Sequence, residues 1–168
     1  MGGSRSNRSF SPKELADLTR AAKEALKGAD QPRRRCVFIS FAFEDLNEVN
    51  LLRGQAKNEN AAFEMIDRSL QEPFESERAE YIKEGIRDRI KQASVTLVYL
   101  SERTAHSKWV EWEIQESVRL GKGVIGVFQG DKAPEALPKA LGEAKAKIVS
   151  WNHENIANAI DEASRKRT

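Results

Sequence analysis

VTLVYLSERTAHSKWVEWEIQESVRLGKGVIGVF, residues 95–128, changes its hydrophobic period twice. VTLVYL (95–100) is apolar or β-branched throughout, the pattern of a strand buried on both faces. From about residue 107 to Leu120 the apolar side chains return every three or four positions, as on a helix. VIGVF (124–128) is again a short buried strand. Strand, helix and strand in that order make a parallel crossover unit, and such units are right-handed.

The alternation continues outward in both directions. CVFISF (36–41) reads as a central strand. Asp45, with Glu48 three residues on, starts the helix after it, and Gly54 is the expected stop. AAFEMIDRSL (61–70) reads as a strand and QEPFES (71–76) as a loop. Ile82, Ile86 and Ile90 repeat at i, i+4 and i+8 and line one face of a helix near 77–92. Residues 131–146 suit a loop with a short helix, and KIVSW (147–151) a last strand before a helix ending near Ser164. Five strands alternating with helices specify an α/β domain over 36–168, a single doubly wound parallel five-stranded sheet. Ligands of such sheets sit beyond the carboxyl ends of the strands, where strand order reverses. FAFED (41–45), SERTAHSKW (101–109) and the turn after Trp151 therefore share a rim.

Residues 1–35 are a basic arm. They hold nine Lys/Arg against four Asp/Glu, while 36–168 hold 19 against 22, so the chain's net charge of +2 is unevenly spread. The arm carries an extra N-terminal helix over about 11–27, with Ser11 at the N-cap, Pro12 at N1, Glu14 at N3 and Gly28 at its end. Phe10 and Leu15 are spaced for a hydrophobic staple, and 28–35 reads as a linker. A solvated tail is the plain reading of this arm. Binding of nucleic acid through Arg33–Arg35 is the sharper one, and the acidic body argues against it. The single cysteine, Cys36, rules out an internal disulfide and a multi-cysteine zinc site, and it points to a reducing compartment such as the cytoplasm. No apolar run reaches the roughly 20 residues of a membrane span. His106 and His153 are too few and too scattered for a metal site, so no metal is expected.

GKGVIG (121–126) matches the dinucleotide fingerprint in its letters but not in its context. A phosphate loop runs from strand through glycines to a helix N-terminus, and here a helix precedes the glycines and a strand follows. Gly121 reads as a helix stop and Gly126 as a small residue in a packed strand. AFEDLN, after the first strand, lacks the glycines and hydroxyls of a flavin phosphate loop, and Ser101 stands where a phospho-acceptor aspartate would be needed.

The helix from 107 carries the most unusual chemistry. At about 100° per residue, Val110, Ile114, Ser117, Val118 and Gly121 gather toward the sheet, with Glu111 and Glu116 on the watery flanks. Glu113 falls on the border of the apolar stripe, one turn after Trp109. A carboxylate half-shielded by an indole can accept hydrogen bonds from vicinal hydroxyls and steady a positive charge in a dry setting. The ring offers a stacking surface to a flat cationic group, and a ribose bearing a pyridinium has these features. The plainer alternative makes Trp109 and Trp112 packing residues and pairs Glu113 with a surface Lys or Arg.

FISF (38–41), then Ser107, Trp109, Val110 and Glu113 in an S-x-W-V-x-x-E pattern, then GKGVIGVF, together resemble a TIR domain, with Val110 in place of the cysteine usual to that motif. VFISFAFEDLNEVNLLRGQAKN with DRSLQEP is similar more specifically to the TIR-like proteins of the Thoeris antiphage system, which have a flavodoxin-like fold. The resemblance covers about residues 36–130. It implies an enzyme that cleaves the nicotinamide–ribose bond of NAD and in Thoeris goes on to a cyclic ADP-ribose isomer, a messenger for a separate effector. NAD would be substrate, with no cofactor. Glu113 would be catalytic. Trp109, Ser40, Phe41, Phe43 and Ser101 would bind substrate, and Arg53 and Arg103 are candidates for phosphate contacts. Self-association is implied, and no membrane partner is. The competing class is a non-catalytic TIR-like scaffold.

Overall fold

The computed structural model describes residues 11–29, 35–57, 63–66 and 73–166. It divides into two units, residues 1–33 and 34–168. In the first, helix α1 (Pro12–Ala29) begins at the expected capping box. The Ser11 N–H donates to Glu14 Oε2 at 2.8 Å, and the Glu14 N–H donates to Ser11 Oγ at 3.3 Å, so two orphan donors are satisfied reciprocally. Helical conformation continues past Gly28 to Ala29. Phe10, the other half of the expected staple, and most of the linker lie outside the described residues.

The second unit is the doubly wound sheet. In chain order it holds β1 (Arg35–Ser40), α2 (Leu46–Ala56), β2 (Phe63–Ile66), α3 (Ala79–Gln92), β3 (Val95–Leu100), α4 (Lys108–Arg119), β4 (Gly123–Phe128), α5 (Lys139–Glu143), β5 (Lys147–Ser150) and α6 (His153–Arg165). Every pairing is parallel, in the order β2-β1-β3-β4-β5. Strand order reverses between β1 and β3, where Ser40 stands opposite Val98. Of the segment expected as a strand over 61–70, residues 63–66 are strand and the remainder lies outside the described residues.

Alternation along β1 divides the core in two. Val37, Ile39 and Phe41 pack with Leu97, Tyr99 and the buried faces of α2 and α6. On the opposite face, Phe38 lies under Ile82, Ile86 and Ile90 of α3 and under Trp109 of α4. Val98 and Leu100 pack there with Val110 and Ile114. The i, i+4, i+8 isoleucines therefore do what their spacing dictates. Of the two glycine stops expected in this unit, one holds. Gly54 does not stop α2, which runs on to Ala56, because a single glycine costs a helix only about 1 kcal/mol and Leu52 and Val49 anchor this one to the sheet. Gly121 does stop α4, at φ 68°.

The wheel for α4 needs correction at Val118, Glu116 and Glu111. Val118 is half-exposed rather than turned to the sheet. Ser117 keeps its expected place on that face, where its hydroxyl meets that of Thr96 at 2.7 Å and also donates to the Glu113 carbonyl at 2.7 Å. Glu116 is buried instead of facing water, because Arg87 reaches over from α3 to bond it at 2.8 Å and Arg119 closes on it from the next turn. The Arg119 hydrogen bond outweighs burial, and with help from Arg87 it holds the Glu116 carboxyl below its ordinary value. A group depressed in the folded state adds stability above the unfolded carboxylate pKa and loses it as pH falls through the folded value. Urea titrations from pH 6 to pH 3 should therefore show Glu116→Gln less stable than the parent at pH 6, with the gap closing in acid. A gap that stays constant would remove Glu116 from the acid response.

Candidate active site

Glu113 is fully buried at the carboxyl end of β1. Ser40, the last residue of that strand, donates from Oγ to Glu113 Oε2 at 2.5 Å, with both residues inaccessible to water. Such charge-assisted O–H···O contacts are short and strong. The sequence positions them by separate means. Ser40 points to the α3/α4 face because it is two residues beyond Phe38 on a strand. Glu113 reaches it because α4 is seated from both ends. Ser107 caps the start of the helix by accepting from the Val110 N–H at 3.3 Å, and the Thr96–Ser117 contact pins the following turn. Glu111, expected to face water, accepts instead from the Ala140 N–H through both oxygens, at 3.0 and 3.1 Å, and so fixes α5 beside α4.

Trp109 lies one turn before Glu113 and is 8% exposed. Its ring meets Phe74 edge to face at 4.9 Å and Trp112 at 6.0 Å. Lys83 stands 4.5 Å over Phe74, and both Lys83 and Arg87 lie within 6 Å of the Trp112 ring. This pile of rings and cations walls the Glu113 side of the rim.

The other expected site residues lie elsewhere on the rim. Phe41 belongs to the α2/α6 core, on the opposite face from Ser40, with the Arg53 guanidinium 5.6 Å over its ring. Phe43 is half-exposed in a single 3-10 turn over Phe43–Asp45. Ser101 donates to Asp45 Oδ2 at 2.6 Å, and Arg103 holds the other oxygen of that carboxylate at 2.7 Å. Thr104 ties the loop back to the Tyr99 carbonyl at 3.0 Å. The structure thus joins Ser40 with Glu113, and separately Ser101 with Asp45 and Arg103. Asp45 was legible only as a helix start, although it is buried and joins the turn after β1 to the loop after β3. Its position at the strand end was the available signal; its partners 56 and 58 residues away were not. Burial, with the Asp45 and Glu48 carboxylates nearby, holds the Tyr99 phenol above its ordinary value.

Among the described residues no three potential metal ligands cluster, and no helix is long and apolar enough to cross a membrane. Cys36 is half-buried at the start of β1, and burial followed by the Glu64 charge pushes its thiol up, away from the thiolate a nucleophile needs.

A parallel 2-1-3-4-5 sheet with a buried glutamate at the switch point, carried on the helix after β3, defines a TIR-like α/β domain. The family model for the TIR-like domain of the Thoeris protein ThsB matches residues 38–133, more than half of the chain, and the chain belongs to that family. A curated relative, the "Putative cyclic ADP-D-ribose synthase ThsB1" of Bacillus cereus (strain MSX-D12), is 30% identical over 95 residues. The match covers 54% of this chain and 50% of the relative, so the chain spans about half the length of that protein. Among solved structures, the Clostridium botulinum CMP N-glycosidase BcmB aligns at 13% identity and a TM-score of 0.46, over 76% of this chain and 99% of that one. The TIR domain of the Toll-related receptor TRR-2 from Hydra magnipapillata aligns at 18% identity and 0.49, over 75% and 91%.

Proposed function

We propose that the protein cleaves the nicotinamide–ribose bond of NAD and transfers the ADP-ribose to an internal acceptor, giving a cyclic ADP-ribose isomer. The observation that carries the reading is the Glu113 carboxylate, buried at the switch point and held by Ser40 at 2.5 Å. The relative's name supports the cyclic product.

One carboxylate suffices for this chemistry. Ordinary glycosidases use a second acid to protonate a departing oxygen. Nicotinamide departs from a cationic ring as a neutral one, so no proton need be delivered. Glu113 would accept hydrogen bonds from the ribose hydroxyls and offset the positive charge growing on the ribose carbon. Ser40 keeps one carboxylate oxygen aimed along the end of β1. Trp109 backs the wall, and direct stacking of its face on nicotinamide would require Phe74 to give way. With no surface open to water, Glu113 meets substrate only after neighbouring groups move, which couples turnover to a conformational step or to assembly.

The test is incubation of purified protein with NAD across a range of protein concentrations, with products resolved by chromatography. Nicotinamide released together with a cyclic nucleotide supports the proposal. NAD left intact at the highest concentration favours the scaffold reading. Ser40→Ala should lower kcat about tenfold with little change in KM, the loss of one charge-assisted hydrogen bond that orients the carboxylate. An unchanged kcat would leave Ser40 with a packing role.

A further inference from the structure

Two hollows adjoin on the strand-end rim and share Gln129 and Gly130. One, of about 690 Å³, is lined by Asp45, Glu48, Tyr99, Ser101 and Arg103. The other, of about 580 Å³, is lined by Leu51, Gly54, Gln55 and Trp151. Tyr99 and Phe41 belong to the α2/α6 core, so these hollows border the opposite face of the sheet from Ser40 and Glu113.

Three features mark this rim. Gly54 lies inside α2, where alanine would stabilise the helix by about 1 kcal/mol, yet nothing stands within 4 Å of where its Cβ would be. Gly130 also has open space beside it, and its φ of 98° calls for a glycine whatever the space. The Trp151 ring, packed partly against the α2/α6 core, lines the same hollow as both glycines. Its indole N–H donates to Gln55 Oε1 at 2.8 Å, and Tyr99 meets it edge to face at 6.0 Å, so its orientation is set in advance. Bare backbone beside a fixed indole accommodates a flat heteroaromatic ring.

The larger hollow selects what is attached to that ring. Asp45, Glu48, Glu102 and Glu135 line it against Arg103 and Lys132. Arg103 is committed to Asp45 and Lys132 to Glu135. Glu48 and Glu102 have no ion pair among the described residues. The excess of carboxylates suits hydroxyl donors and repels phosphate.

We propose that this rim is a second ligand site, separate from Glu113, for an uncharged nucleoside: the base lies against Gly54 and Gly130 beside Trp151, and the ribose hydroxyls face Glu48 and the Ser101 loop. The two hollows are contiguous through Gln129 and Gly130, as a base joined to a sugar requires.

The test follows the tryptophan indole N–H signals of the ¹⁵N-labelled full chain during titration with adenosine and, separately, AMP, with the Trp151 signal assigned from Trp151→Phe. Adenosine should move the Trp151 signal. AMP should bind several-fold more weakly. Gly54→Leu, which fills the smaller hollow while improving helix propensity, should weaken adenosine at least tenfold, with a circular dichroism spectrum like the parent's. Glu113→Gln should leave adenosine affinity unchanged. The proposal is overturned if millimolar adenosine leaves Trp151 unmoved, if AMP binds as tightly as adenosine, if Gly54→Leu retains full affinity, or if Glu113→Gln abolishes binding.

Discussion

Glu113→Gln should reduce NAD cleavage by about a thousandfold, almost all of it in kcat, while the protein folds as well as its parent or better. Two arguments set these directions. The amide keeps the size of the side chain and an oxygen to accept from Ser40 Oγ–H, so the 2.5 Å contact survives in a weaker form and substrate affinity changes little. It carries no charge, so in the proposed reaction it could not offset the cation that develops as nicotinamide leaves. Removing one preorganised electrostatic element from a dry site costs on the order of 10²–10³ in rate. Stability moves the other way, because burial of an ionised carboxylate is unfavourable and an amide at the same place is less so. A buried acid kept at the expense of stability suits a functional role. Thermal melts and turnover should be measured on one preparation. Full turnover in the variant would move the chemistry away from Glu113. Lost turnover with a lowered melting temperature would make the residue structural.

The architecture was legible because its signals are local. Buried parallel strands read as apolar runs, and VTLVYL became a strand with all six residues inaccessible. The side of the helix that carries Glu113 was also legible from short-range spacing, but its depth was not: expected half-shielded on the border of the apolar stripe, it is fully buried against Ser40. What escaped depends on residues distant in sequence. Glu116 looks like a surface residue until Arg87, 29 positions earlier, covers it. Trp109 looks available until Phe74, from a turn with no periodicity, meets its ring. Phe41 is a different case: strand alternation already sends it to the face opposite Ser40, and expecting both to bind one substrate overlooked a period of two. Asp45 was visible as a residue but not as a junction, because Ser101 and Arg103 are brought to it only by sheet order.

Gly123→Ala should cost about 2–3 kcal/mol and lower the melting temperature by roughly 5–10 °C, a large effect for one methyl group. Gly123 opens β4 next to α6. A Cβ built on it would stand 2.4 Å from the Ala163 carbonyl oxygen and 2.8 Å from its carbonyl carbon. These are backbone atoms in a helix held to the sheet by Ile156, Ala159 and Ile160, so no rotamer change relieves the clash and α6 must shift bodily. At Gly126 the corresponding neighbour is the Leu100 Cδ1 atom at 2.8 Å, the end of a flexible side chain, and Gly126→Ala should cost less. The pair therefore separates two accounts of GKGVIG. If its glycines cradled a phosphate, both substitutions would weaken a nucleotide ligand and the ranking would follow distance from that ligand. As packing glycines they should rank by the hardness of what they touch, 123 before 126, with NAD cleavage per folded molecule unchanged in both. Chemical denaturation of the two variants gives the order directly, and equal stability of Gly123→Ala and the parent would contradict the close seating of α6 on β4.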